Sequence, residues 1–316
     1  MLSYLHSFHA GNHADILKHI TLLYTLEYFN KKPKPYTVFD THSGRGLYDL
    51  SGEAALKTGE AANGIQKLLE KVEEMSKFSS EKPGKEAIEE LKPYISFVLE
   101  NLEKGFYPGS PAFERFFLSD GSALFLTELH KREYASLTEN ISKLENTFNL
   151  PKNVTVNIQN EDAFPFLKAS LPPVIKRGFV LCDPSYEEKS DYVNTSDALQ
   201  YLHKKWSGAS ILLWYPLLSN REEEIENMKQ AILSTVKNRD SHTEVLDAML
   251  LVDTKDSHQE TSLEEAIGNP KPRLYGSGMF VVNPCWGLDL HLKKILPFLS
   301  ELLGRDNNGS YSVKML

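Results

Sequence analysis

Residues 178–186 read GFVLCDPSY. The apolar run Phe179–Cys182 has the length and composition of a buried parallel strand. Asp183, Pro184, Ser185 and Tyr186 follow at its carboxyl end, where ligands of open α/β sheets bind. The segment brings together a carboxylate, a stiffened backbone carbonyl and an aromatic face. That set suits a planar base bearing an amino group. Asp183 and the Pro184 carbonyl can accept the two amino hydrogens while Tyr186 stacks on the ring. The plainer alternative is a strand ending in an Asp-Pro turn.

Other strand ends carry compatible groups. Asp40 leads into Thr41-His42-Ser43-Gly44-Arg45-Gly46, a partial Asp-x-x-x-Gly-x-Gly in which two glycines permit a tight turn and close approach to a ligand. An ordinary glycine loop would read the same way. Glu128 ends the run ALFLTE, where an acidic residue commonly binds ribose hydroxyls; a surface Glu before a helix is the alternative. In Asn160-Glu161-Asp162-Ala163-Phe164, Asp162 can accept the amino group of an adenine, cap a helix, or do both. Tyr107-Pro108-Gly109-Ser110-Pro111 reads as a rigid turn; Pro-Gly-Ser-Pro is usually just a loop, but Ser110 would lie near the first-strand loop if the segment before it is a simple excursion.

His6, His9, His13 and His19 are spaced as metal ligands could be, but no His-Glu-x-x-His pattern or cysteine pair accompanies them. No metal site is expected. The segment reads better as a polar, aromatic-bearing cover over cofactor and substrate, with a helix beginning over Asp15–Ile20.

Seven strand-like runs must position these groups: 36–40, 123–127, 154–158, 179–182, 210–214, 243–252 and 279–283. Helical patterns such as 133–147 and 222–237 separate most of them, which implies a mostly parallel α/β sheet with helices on both faces. The last two runs read as an antiparallel edge pair. Residues 51–104 break the rhythm with two stretches of helical periodicity, Ile65/Leu68/Leu69/Val72 and Ile88/Leu91/Ile95/Val98, and are expected to form a helical insertion. The main domain then comprises 1–50 and 105–316.

The chain has 316 residues, 41% hydrophobic and 25% charged, with a net charge of −8. That balance argues against a non-specific nucleic-acid coat, yet leaves room for RNA docking through a local patch. Lys31/Lys32/Lys34, Lys176/Arg177 and Lys204/Lys205 are such clusters, each equally readable as solvated surface. Cys182 and Cys285 lie in apolar runs and suggest no disulfide. No run is long enough to span a bilayer and the N-terminus lacks a basic leader, so a cytoplasmic protein is expected.

Taken together, LSYLHSFHAGNHADILKH, DTHSGRG, YPGSP, LTELH, PPVIKRG, DPSYE, LWYP and GMFVVNPCW resemble, in order and over nearly the whole chain, the bacterial 23S ribosomal RNA adenine-N6 methyltransferase family of large-subunit methyltransferase J. The resemblance implies a Rossmann-like, class I S-adenosylmethionine (SAM)-dependent methyltransferase with a small helical insertion. It assigns His19, His42, Ser110, Glu128, Asp162 with Ala163, and Asp183 to SAM. Lys18, beside His19, is expected at the cofactor's methionine carboxylate. Asp183, with Pro184 and Tyr186, becomes the catalytic set; Tyr4, together with His6, contacts substrate. Ser185 stands where the family usually has a second proline, and Ala163 where it has glycine. The implied substrate is exposed 23S rRNA during ribosome assembly, with no metal and no membrane. A DNA adenine methyltransferase would share the chemistry but not the N-terminal block. An NAD-dependent oxidoreductase would want a fuller Gly-x-Gly-x-x-Gly, and a non-catalytic RNA-binding protein would not need acids at successive strand ends.

Overall fold

The structure, a computed structural model, describes residues 10–50, 52, 59–77, 84–255 and 274–316. Its centre is β6 (Gly178–Cys182), whose five residues are all buried, as an apolar run covered on both faces requires. β6 pairs in parallel with β1 (Thr37–Asp40) on one side and β7 (Ser210–Leu218) on the other. β1 continues in parallel to β4 (Ala123–Thr127), and β4 to β5 (Thr155–Gln159). Beyond β7 the sheet turns antiparallel through β9 (Leu274–Val282), β8 (Val245–Leu251) and β10 (Ser310–Met315). The order β10-β8-β9-β7-β6-β1-β4-β5 reverses direction between β1 and β6. That is the switch point where a doubly wound sheet opens a crevice.

All seven expected runs are strands, but the sheet has eight. The additional strand is β10, SYSVKM, which is exposed or half-buried throughout and so carries no apolar run. It takes the sheet edge and moves β8 inward, so the antiparallel β8–β9 pair is not the edge expected from the sequence. β2 (Leu47–Tyr48) and β3 (Tyr107–Pro108) form a separate two-stranded ribbon. β7 continues through Pro216 because its pairing with β6 ends at Leu213, so the missing N–H faces no strand on that side.

The first helix, α1 (His13–Asn30), is capped by Asn12, whose side chain accepts from the amides of Ala14 and Asp15. It is buried on most sides, including Ile16, Leu17, Ile20, Leu22, Leu23 and Leu26. Burying each such side chain contributes about 1.5–3 kcal/mol, which offsets the cost of carrying Lys18 and His19 inside. Among the described residues between 51 and 104 there are two helices, α2 (Lys67–Lys77), preceded by a π-helical turn, and α3 (Lys85–Leu102). Their apolar side chains join the main core, and α3 packs on α1 and on α9 (Leu288–Leu303). α4 (Ser110–Phe117) also packs on α1. α7 (Lys189–Lys205) packs against both α6 (Ala163–Ser170) and α8 (Glu222–Arg239), while α5 (Lys131–Thr147) joins β4 to β5.

Candidate active site

Beyond the carboxyl ends of β1, β4, β5 and β6 lie two cavities of about 210 and 190 Å³, which share His42 and Ser185 as a partition. The first is walled by α1, the β1 loop, the start of α4 and the ends of β6 and β7; the second by the ends of β4 and β5.

Asp183 lines the first cavity and is 5% exposed. The ammonium of Lys18 reaches its Oδ2 at 2.6 Å and the Oδ1 of Asp15 at 2.9 Å. Asp15 is fixed in turn by the amide of Gly11, which donates to Oδ2 at 2.8 Å. Among the described residues, Asp183 Oδ1 has no protein donor. Burial alone would lower the Lys18 pKa, but the two carboxylates hold it well above the usual lysine value. Burial pushes Asp183 upward, with Lys18 pulling against it. The result is a desolvated carboxylate with one oxygen clamped and the other available to a donor in the cavity. Lys18, expected at a ligand carboxylate, holds two of the protein's own carboxylates and lines the cavity with its third N–H uncommitted.

His19 sits one position on and also lines this cavity. Its Nδ1 lies 3.2 Å from the Tyr107 hydroxyl, while its buried Nε2 has no hydrogen-bond partner among the described residues. Burial lowers its pKa to about 3, so it is a neutral imidazole. Ser110 donates to Asp40 Oδ2 at 2.7 Å across the top of β1. The β1 loop turns back on glycines with φ of 59° at Gly44 and 75° at Gly46, a conformation that side-chain-bearing residues rarely adopt.

In the second cavity, Glu128 accepts from the amide of Gly44 at 2.9 Å and of His130 at 2.7 Å. Burial raises its pKa. Asp162 is exposed and caps α6 by accepting from the Phe164 amide at 3.0 Å; Ala163 is buried behind it. The ring of His42 meets Phe164 edge-on, centroids 5.6 Å apart. Lys18, His19, His42, Ser110, Glu128, Asp162, Ala163 and Asp183 thus converge on the two cavities.

Tyr186 does not. It is 3% exposed, with its hydroxyl donating to the Trp214 carbonyl at 3.0 Å and its ring 4.6 Å from that of Tyr192. A φ of 53° turns it away from the crevice into the space beside β7, so the stacking face expected of it is not presented here. The aromatic side chains that line the first cavity are Trp214 and Tyr48. Tyr4, His6 and His9 lie outside the described residues. Sequence reasoning missed Asp15, whose only signal is its i,i+3 spacing to Lys18, and Trp214, which lies within LWYP. Among the described residues there is no metal-competent cluster of His, Cys, Asp and Glu, and no helix long and apolar enough to cross a membrane. Both cysteines are buried free thiols.

A doubly wound sheet that reverses between β1 and β6, with acids at four strand ends around a divided crevice, defines a Rossmann-like methyltransferase fold. Residues 33–316 match the family described as Ribosomal RNA large subunit methyltransferase D, RlmJ, and the chain belongs to that family. It is 34% identical to Ribosomal RNA large subunit methyltransferase J of Haemophilus influenzae, over 100% of this chain and 99% of that protein. It is 33% identical to the protein of the same name from Escherichia coli K12, again over 100% and 99%. A crystal structure of a Legionella pneumophila protein superposes with a TM-score of 0.72 at 28% identity, covering 97% of this chain and 98% of that one.

Proposed function

We propose that this protein is a SAM-dependent enzyme that methylates the N6 amino group of an adenine in 23S rRNA, acting on rRNA exposed during ribosome assembly. Residues 51–104 would then be a helical insertion in a methyltransferase domain made of 1–50 and 105–316. The observation that carries the reading is Asp183, a buried carboxylate clamped on one oxygen by Lys18 and open on the other, at the mouth of the switch-point crevice.

The donor and acceptor set fits the cofactor. Glu128 suits a ribose diol, Asp162 an adenine amino group, and His19 Nε2, which makes no hydrogen bond among the described residues, and the Ser110 hydroxyl suit the polar methionine end. SAM, when bound, supplies an electrophilic methyl group on sulfur. This chain's own task is to prepare the nucleophile. An exocyclic amino nitrogen is weak because its lone pair is delocalised into the ring. Hydrogen bonds from it to Asp183 Oδ1 and to the Pro184 carbonyl favour a more tetrahedral nitrogen and stabilise the positive charge that develops there. Lys18 fixes the carboxylate before the base arrives, so little reorganisation remains, and holding the base in line supplies an orientation effect. The target adenine must leave its stack; Trp214, in the wall of the first cavity, offers the aromatic face that Tyr186 withholds.

The test is methyl transfer from labelled SAM to deproteinised 23S rRNA, intact ribosomes, DNA and protein in parallel, followed by nucleoside analysis. Label recovered as N6-methyladenosine from deproteinised 23S rRNA is the expected result. Label confined to DNA or protein would overturn the reading.

A further inference from the structure

Ser110 and Glu114 are four residues apart on α4 and project from one face of the helix. Ser110 reaches Asp40 Oδ2, and the His42 amide donates to Asp40 Oδ1 at 3.2 Å. Glu114 lies beneath this group. It is 0% exposed, it lies one helical turn from the Ser110 that bonds Asp40, and among the described residues neither of its oxygens has a hydrogen-bond donor; after burial, Asp40 is the strongest influence on its carboxyl. Two other buried acids are matched by cations: Glu133 by Arg45, and Asp183 by Lys18. The groups that face the Asp40–Glu114 pair are Lys18 from α1, Asp183 beyond β6, His42 from the β1 loop and Tyr36 at the start of β1. Lys18, the one full cation among them, already lies between Asp15 and Asp183. A second unmatched negative charge there would carry a large desolvation cost, whereas a carboxylic acid brings its own donor.

We propose that Glu114 is a positioning residue: it remains a carboxylic acid and shares its proton with Asp40, and this acid pair fixes the Ser110 hydroxyl at the cavity wall. With its proton committed to Asp40, Ser110 presents lone pairs to the cavity and acts there as an acceptor. Its ligand is the methionine ammonium of the cofactor, a step that rests on the function proposed above. The titration behaviour agrees in direction. Burial pushes Asp40 up to about 7, and burial together with Asp40 pushes Glu114 well above the ordinary carboxylate range.

A carboxyl whose pKa is raised by folding lowers stability as pH climbs from its unfolded value towards its folded one. The wild-type protein should therefore lose stability as pH rises from about 4 through about 7, in part through this pair. Glu114→Gln keeps the shape and supplies an amide donor to Asp40 without a titrating proton. Thermal unfolding of the ligand-free full chain across that range should give a flatter profile for Glu114→Gln than for wild type. Calorimetric titration with SAM at neutral pH should show Glu114→Gln within about twofold of wild type, and Glu114→Ala weaker by about tenfold, the scale of one charged hydrogen bond. An unchanged pH profile in Glu114→Gln, or a loss of SAM affinity as large as that of the alanine variant, would overturn the proposal. If wild type itself failed to bind SAM, the cofactor reading would fall, while the ligand-free pH profile would still decide the acid pair. If the alanine variant did not fold, the glutamine variant alone would decide it.

Discussion

Two buried lysine–aspartate pairs sit against the same sheet. Lys18–Asp183 joins α1 to the end of β6 at 2.6 Å; Lys229–Asp247 joins α8 to β8 at 2.9 Å. Their chemistry is the same and both are shielded from water. The difference lies in what the carboxylate has left over. Asp247 gives Oδ2 to Lys229 and Oδ1 to the Tyr215 hydroxyl at 2.5 Å, and it lines neither crevice cavity. Asp183 gives one oxygen to Lys18 and keeps the other for the cavity. A buried ion pair is therefore a weak sign of function by itself. An unfilled acceptor at a switch-point crevice is the stronger one.

Breaking each pair from the lysine side should separate these roles. Lys229→Met leaves Asp247 a buried charge held only by Tyr215 and should cost roughly 3–5 kcal/mol of unfolding free energy. The methylation rate of the remaining folded enzyme should stay near wild type. Lys18→Met should cost a similar amount of stability and, unlike Lys229→Met, also slow methyl transfer. Denaturant unfolding and single-turnover kinetics on both variants check the contrast. Equal kinetic effects would erase the distinction.

The second cavity offers a sharper control. Glu128 holds Gly44 and His130 by their amides and is read as the ribose contact. Glu128→Ala should weaken SAM binding by about 1.5–3 kcal/mol, tenfold or more, while leaving the Lys18–Asp183 clamp intact. Calorimetry showing unchanged affinity in a folded variant would remove Glu128 from the cofactor site.

Acid titration probes the third member of the clamp. Burial would raise the Asp15 pKa, but the Lys18 ammonium and the Gly11 amide hold it below the ordinary carboxylate range. A carboxylate depressed by folding contributes stability that is present above its unfolded pKa and lost as pH falls through its folded one. Wild type should thus lose stability on acidification below about pH 4 through this group, and Asp15→Asn should show a shallower loss. Melting curves over that range test the sign.

The smallest expected effect concerns Tyr186. Tyr186→Phe removes one neutral hydrogen bond to the Trp214 carbonyl and should cost about 1 kcal/mol of stability, with the affinity for RNA unchanged. Tyr186→Leu, which removes the ring, should likewise leave RNA affinity unchanged; a large fall in a folded Tyr186→Leu protein would instead restore Tyr186 as a base-stacking residue.

Much of this was legible because buried parallel strands write themselves as apolar runs. β1, β4, β6 and β7 are such runs, and the acids at their ends follow directly. β10 was not legible: an edge strand with one weakly covered face needs no apolar alternation. Lys18 and Asp183 are 165 positions apart, so no spacing rule could pair them; only the passage of α1 beside the end of β6 does. Tyr186 misled because it follows Asp183 within three residues, and one left-handed backbone turn sends it to the opposite side. Glu114 reads in sequence as an ordinary helix glutamate, and its burial depends on where α4 docks.

The central claim is that Asp183 prepares the amino group for methyl transfer and does not merely shape the crevice. The most direct measurement is single-turnover methylation of deproteinised 23S rRNA by Asp183→Ala, with SAM affinity measured on the same preparation. The account predicts a rate lower by roughly 10²–10³-fold, the scale for losing one preorganised electrostatic contact, in a folded protein that still binds SAM. A folded Asp183→Ala enzyme that methylates at a near-normal single-turnover rate would contradict it.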